Sequence, residues 1–175
     1  AADASSVNLT QTLSGAGMTW VQILRVQKTQ SANNTLYVFR ALSASPGSGA
    51  LTITNSENAR SAWSIFELDG VNTSGTNGSG AVVQSASGWG NSATPLATLA
   101  AFGDAANGTV GGFALGPFAN DPSVTAGSGF TLIHNQAEGS GNYVSVASEW
   151  RADNDTTVDS TVNPSLQWIA VGLEI

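Results

Sequence analysis

Residues 62–84, AWSIFELDGVNTSGTNGSGAVVQ, decide how this chain is read. Trp63, Ile65 and Glu67 alternate with Ala62, Ser64, Phe66 and Leu68. Bulky side chains on both sides of a period-two pattern predict a strand over 62–68 covered on both faces. A polar loop of Asn, Thr, Ser and Gly follows, with no charge beyond Asp69, and a second short apolar strand is expected at 81–84. Strand, turn-rich loop, strand is the grammar of an all-β domain.

The same grammar extends in both directions. Strands are expected at 18–27 (MTWVQILRVQ), at 36–42 (LYVFRAL, with Arg40 breaking the apolar row) and at 51–54 (LTIT). Others follow at 96–99, 109–115, 130–134, 143–150, 156–162 and 166–175, which makes about 11 in all. The turn SPGSG at 45–49 and the Gly-Ser-Gly triplets at 47–49, 78–80, 127–129 and 139–141 punctuate them. Short strands at regular spacing without an internal repeat argue for a sandwich or barrel. The one candidate helix, 55–60, is too short and polar to matter. Residues 1–13 carry only Val7, Leu9 and Leu13 as anchors, so they read as an extended N-terminal arm or weak edge strand. Residues 14–175 then form the sandwich.

Composition narrows the function classes. At 175 residues the chain has the size of one domain, and 41% hydrophobic content is too high for a disordered one. Five Lys and Arg residues against a net charge of −7 cannot form a phosphate-binding stripe, so neither nucleic acid nor an anionic membrane surface is an expected partner. No apolar run is long enough to span a bilayer. The absence of Cys excludes disulfides, thiolate zinc sites and Cys nucleophiles together. A first residue of Ala1 implies a processed chain or one cut from something longer.

Groups that could do chemistry are few. His134 is the single histidine, and no G-x-S-x-G elbow accompanies it, so a structural or surface role is expected. Paired carboxylates for glycoside hydrolysis could come from Glu67, Asp69, Glu138 and Glu149. Glu67 and Asp69 lie two apart on one expected strand, and Glu149 is flanked by Trp150 and Arg151. No E-x-D-x-x-E motif supports them, and the expectation is that the protein is not an enzyme. RADNDTTVD, residues 151–159, gathers Asp153, Asp155 and Asp159. An oxygen-rich loop of this kind can hold Ca²⁺, and an Asx-rich turn is the alternative.

Five tryptophans remain. Trp20, Trp63, Trp150 and Trp168 sit in apolar alternations and are expected in the core. Trp89 lies in SASGWGNSA, which reads as a loop, and with Asn91 and Tyr143 it could meet a sugar ring. The alternative is a loop folded back over one end of the sandwich. N-x-S/T sequons occur at Asn8, Asn33, Asn72, Asn77, Asn107 and Asn154, as chance allows in so polar a chain.

The order of several segments adds a family resemblance. SGAGMTWVQI at 14–23, LYVFRA at 36–41, LTIT, AWSIFELDGV with SGTNGSGAVVQS, GSGFTLI at 127–133, ASEWRADNDTTVDST at 147–161 and WIAVGLEI at 168–175 follow in turn. Together they resemble a jelly-roll β-sandwich type found in tailed-phage structural proteins and bacterial surface proteins. The resemblance implies a single antiparallel jelly-roll sandwich in a virion or on an extracellular surface. It implies a capsid decoration or tail appendage whose partners are other virion proteins and copies of itself, a trimer above all. A carbohydrate-binding module that meets surface glycan is the alternative. The type brings no catalytic motif. Such domains usually begin with an apolar strand, of which 1–13 is a poor version. Either the arm pairs weakly or a preceding strand has been lost, and loss would leave a sheet edge open to another chain; the arm itself would reach a neighbour.

Overall fold

The structure, a computed structural model, describes residues 2–3, 9–28, 34–118, 121–138 and 143–175, with the side chains of Ala2, Asp3 and Tyr143 outside the description. In chain order the strands are β1 (Ala2–Asp3), β2 (Gln11–Gly15), β3 (Val21–Lys28), β4 (Asn34–Arg40), β5 (Leu51–Asn55), β6 (Arg60–Ser61) and β7 (Gln84–Ser92). They continue with β8 (Leu96–Thr98), β9 (Thr109–Phe118), β10 (Ser123–Ala126), β11 (Thr131–Glu138), β12 (Tyr143–Arg151), β13 (Thr157–Asn163) and β14 (Leu166–Glu174). A single 3-10 turn at Ser79–Ala81 is the only helical element among the described residues. Every pairing is antiparallel. The chain is therefore all-β, as expected, but its strands form several sheets.

A five-stranded sheet, β11-β12-β9-β14-β7, lies at the centre. Its middle strands are apolar on both sides because both faces are covered. On β14, Trp168 and Ala170 join one core cluster, while Ile169 and Val171 join another. Phe113 and Leu115 of β9 share the first cluster, and Ala114 between them belongs to the second. The three-stranded sheet β10-β13-β8 closes the first face with Ala97, Val158 and Val162. The sheet β3-β4-β1-β6 closes the second with Leu36, backed by Leu24, Val26 and Val38. Fully buried Phe113 and Ile169 each contribute roughly 2–3 kcal/mol by leaving water. The pair β2-β5 forms a separate ladder, Gln11 opposite Asn55 through Gly15 opposite Leu51.

Glycine sets how closely β13 approaches. Gly111 of β9 stands opposite Gly172 of β14. A Cβ on Gly111 would lie 2.7 Å from Val158 Cγ1, and one on Gly172 would lie 2.8 Å from Val158 Cγ2. The missing side chains leave the slot that Val158 fills.

The N-terminal segment is not a free arm where it is described. β1 pairs with both β4 and β6, and β2 crosses the expected boundary at residue 13. Leu9 is fully buried against Tyr37, and its carbonyl accepts hydrogen bonds from the Tyr37 hydroxyl and from Arg25 Nη2 (3.2 Å). Residues 1 and 4–8 of the expected arm lie outside the described residues.

The opening stretch departs most from expectation. After β6 the chain leaves the ladder, and 62–69 is not a strand. It does alternate, but with its small residues inward. Ala62 is 2% exposed in the second core cluster, and Ser64 Oγ meets Ser148 Oγ of β12 at 2.8 Å. Trp63 and Ile65 are 52% and 44% exposed, and Phe66 is exposed too. The expected strand at 81–84 is likewise absent, and the strand in that region begins at Gln84.

Candidate functional site

Glu149 is the first carboxylate that strand geometry places unexpectedly. It faces Gly111 across the β12–β9 ladder and is 0% exposed, so it cannot meet a polysaccharide opposite Glu67, which is exposed. Its Oε2 accepts the Gly127 N–H at 2.9 Å, while Oε1 has no partner. Burial pushes its carboxyl up to about 7; the Gly127 N–H opposes this, and the negative charges of Asp159 and Asp155 add to it. Glu174 is the contrast. It is equally buried, but Asn107 Nδ2 (2.6 Å) serves its Oε1 and Gln84 Nε2 its Oε2. No spacing in the sequence marks either residue as buried.

The aspartate loop closes on a protein cation. Arg151 Nε and Nη2 bind Asp153, Nη2 at 2.9 Å, and Nη1 binds Asp155 at 2.6 Å and the Ser128 carbonyl at 3.2 Å. The Arg151 hydrogen bond holds the Asp153 carboxyl below the usual carboxylate range. Asp155 also caps the turn through Thr157 N at 2.8 Å, as an Asx-rich turn does. Asp159 lies apart on β13, against Gly127. Among the described residues no three His, Cys, Asp or Glu side chains gather where they could hold a metal ion. The expected Ca²⁺ set Asp153, Asp155 and Asp159 is therefore not brought together.

Trp89 and Asn91 stand on a strand, where a loop was expected. β7 is an edge of the central sheet, Trp89 opposite Ile169 and Asn91 opposite Gln167, so the two share one face. Trp89 is 49% exposed. Lys28 Nζ lies 5.9 Å from its ring centre and donates to the Gly90 carbonyl at 3.0 Å. Lys28 is itself buried, which lowers its pKa. The sequence offered no sign of this partner, since β3 lies more than 60 residues away. Tyr143 begins β12, with β14 and β9 between it and β7. Three strand spacings, about 14 Å, separate its backbone from that of β7, and its side chain lies outside the described residues.

His134 and Glu138 border a groove of about 430 Å³. Ser61, Ala62, Trp63, Ser64 and Ile65 form one wall, and His134, Gln136, Ala137 and Glu138 of β11 complete it. His134, Gln136 and Glu138 pair with Ser148, Val146 and Val144 and so lie on the second-cluster face of the sheet. Here the outer layer ends and the central sheet continues, leaving a step. Asp69 is exposed and accepts the Gly70 N–H at 2.8 Å. Trp150 is exposed, whereas Trp20 and Trp168 are anchored by Gly15 O (3.2 Å) and Ser92 Oγ (3.0 Å). Three sequon amides serve the fold: Asn77 donates to Thr19 O, Asn107 to Glu174 and Asn154 to Ala105 O. Asn72 Oδ1 accepts the Ser74 N–H, while Asn8 and Asn33 lie outside the described residues.

No described helix is long and apolar enough to cross a membrane. No family model, no curated protein and no solved structure matches the chain.

Proposed function

We propose that this chain is a non-enzymatic structural protein of a virion, a jelly-roll-type sandwich that decorates a capsid or forms part of a tail appendage. The observation that carries this reading is the outer edge of β11 in the central sheet, which no described strand pairs. On β7, Gln84 exchanges hydrogen bonds with the backbone of Ala100 (3.1 and 3.0 Å), and Leu96 O packs against Gly88. On β11, eight residues long, no described strand pairs with the outer side. Natural sheets cover or break such edges, and one left open fits a strand supplied by another chain.

The neighbour is a copy of this chain or another virion protein. β11 pairing with β11 across a two-fold axis gives a dimer, whereas a trimer needs β11 to meet a different surface on each neighbour. The segment-order resemblance supports the trimer and the virion or extracellular setting. Copy number tests the reading. In purified particles this chain is expected near the abundance of a major structural component, or at a few copies for a tail appendage. Its absence from particles overturns the virion assignment.

A second reading, a carbohydrate-binding module, is favoured by Trp89 and Asn91 sharing an open face of β7. Loss of glycan-induced indole fluorescence change in Trp89→Ala is its test.

A further inference from the structure

The segment after β6 buries small side chains and exposes large ones, the reverse of what burial in water favours. Trp63 and Ile65 are about half exposed and line a groove whose other side is β11. Apolar surface held out in this way, beside a row of polar groups, is the arrangement of a ligand site. We infer that this groove, lined by Trp63, Ile65, His134, Gln136 and Glu138, binds a neutral saccharide.

The chemistry of the lining selects the ligand. An indole face attracts the C–H face of a sugar ring. His134, Gln136 and Glu138 are spaced two residues apart on one face of β11, about 6.8 Å between successive positions. An imidazole, an amide and a carboxylate in a row supply both donors and acceptors for ring hydroxyls. Among the described residues no Lys or Arg lines the groove, Glu138 does, and the chain carries a net charge of −7, so an anionic ligand is disfavoured. An extended peptide would use the outer backbone of β11, which lies in the plane of the sheet and not on the face where the groove opens.

The test is calorimetric titration of the full chain with neutral di- and trisaccharides of glucose, galactose and N-acetylglucosamine, and with a sulfated disaccharide. Wild type is expected to bind at least one neutral probe and to bind the sulfated one more weakly. Trp63→Ala is expected to weaken binding by about tenfold or more, equivalent to about 1.4 kcal/mol. Glu138→Gln, an exposed change that leaves the sheet intact, is expected to weaken it severalfold. The inference is overturned if no neutral probe binds at millimolar concentration. It is also overturned if Trp63→Ala and Glu138→Gln bind as wild type does, or if only Trp89→Ala abolishes binding, which places the sugar on β7.

Discussion

Glu149 Oε2 accepts the backbone N–H of Gly127 at 2.9 Å, while its Oε1 has no partner among the described residues. β12 of the central sheet is thereby tied to the end of β10 in the covering sheet. The carboxyl is raised from 4.5 to about 7, so the folded state holds its proton more tightly than the unfolded chain does. Its contribution is complete below pH 4.5 and is lost as pH rises through 7. Between pH 5 and 8 wild type should lose roughly 2–3 kcal/mol more stability than Glu149→Gln, which retains the acceptor for Gly127 and carries no charge. Denaturant unfolding of both proteins at the two pH values measures the difference. Parallel pH profiles would show that Glu149 is ionised in the fold without penalty.

Gly111 gives Glu149 its room. A Cβ there would fall 2.7 Å from Val158 Cγ1 and 2.8 Å from Glu149 Cγ. Gly111→Ala should cost about 1–3 kcal/mol as β13 is forced outward. Gly103→Ala has nothing within 4 Å and should stay within about 0.5 kcal/mol of wild type. Equal stability of the two variants would refute the tight β13 packing.

Arg151 occupies the centre that a cation would need between Asp153 and Asp155. Thermal unfolding with millimolar Ca²⁺ and with a chelator should therefore give the same midpoint. A rise of several degrees with Ca²⁺ would mean that Arg151 yields its place and the loop is a calcium site.

Lys28 ties β3 to β7 through the Gly90 carbonyl and lies over Trp89. Lys28→Ala should lower stability by about 1–2 kcal/mol, through the lost hydrogen bond and cation–π contact. Trp89 emission should shift as well. An unchanged unfolding curve and spectrum would remove this tie from the account.

These sites differ in how legible they are in the sequence. β9 and β14 are plain because burial on both faces leaves an almost unbroken apolar run, as in WIAVGL. β7, QSASGWGNS, reads as a loop because its inner positions must be small. A Cβ on Gly90 would lie 2.6 Å from Trp168 Cζ2, and one on Gly88 would lie 2.3 Å from Leu96 O. Packing, not turn chemistry, placed those glycines. The stretch 62–68 misleads for the opposite reason, since hydrophobicity marks Trp63 and Ile65 as core while Ala62 and Ser64 are the residues that face the sheet. The burial of Glu149 depends on the register that sets it against Gly111, and local pattern carries no register between strands so far apart in the chain.

Hydrogen exchange of the intact chain over a concentration series tests the central claim, that β11 is an edge reserved for another chain. The account predicts that amides of Thr131–Glu138 gain protection as concentration rises, while those of Gln84–Ser92, beside which Leu96 O and the Gln84–Ala100 hydrogen bonds lie, do not change. Exchange in Thr131–Glu138 that is independent of concentration, and no slower when the chain is bound in particles, would contradict it.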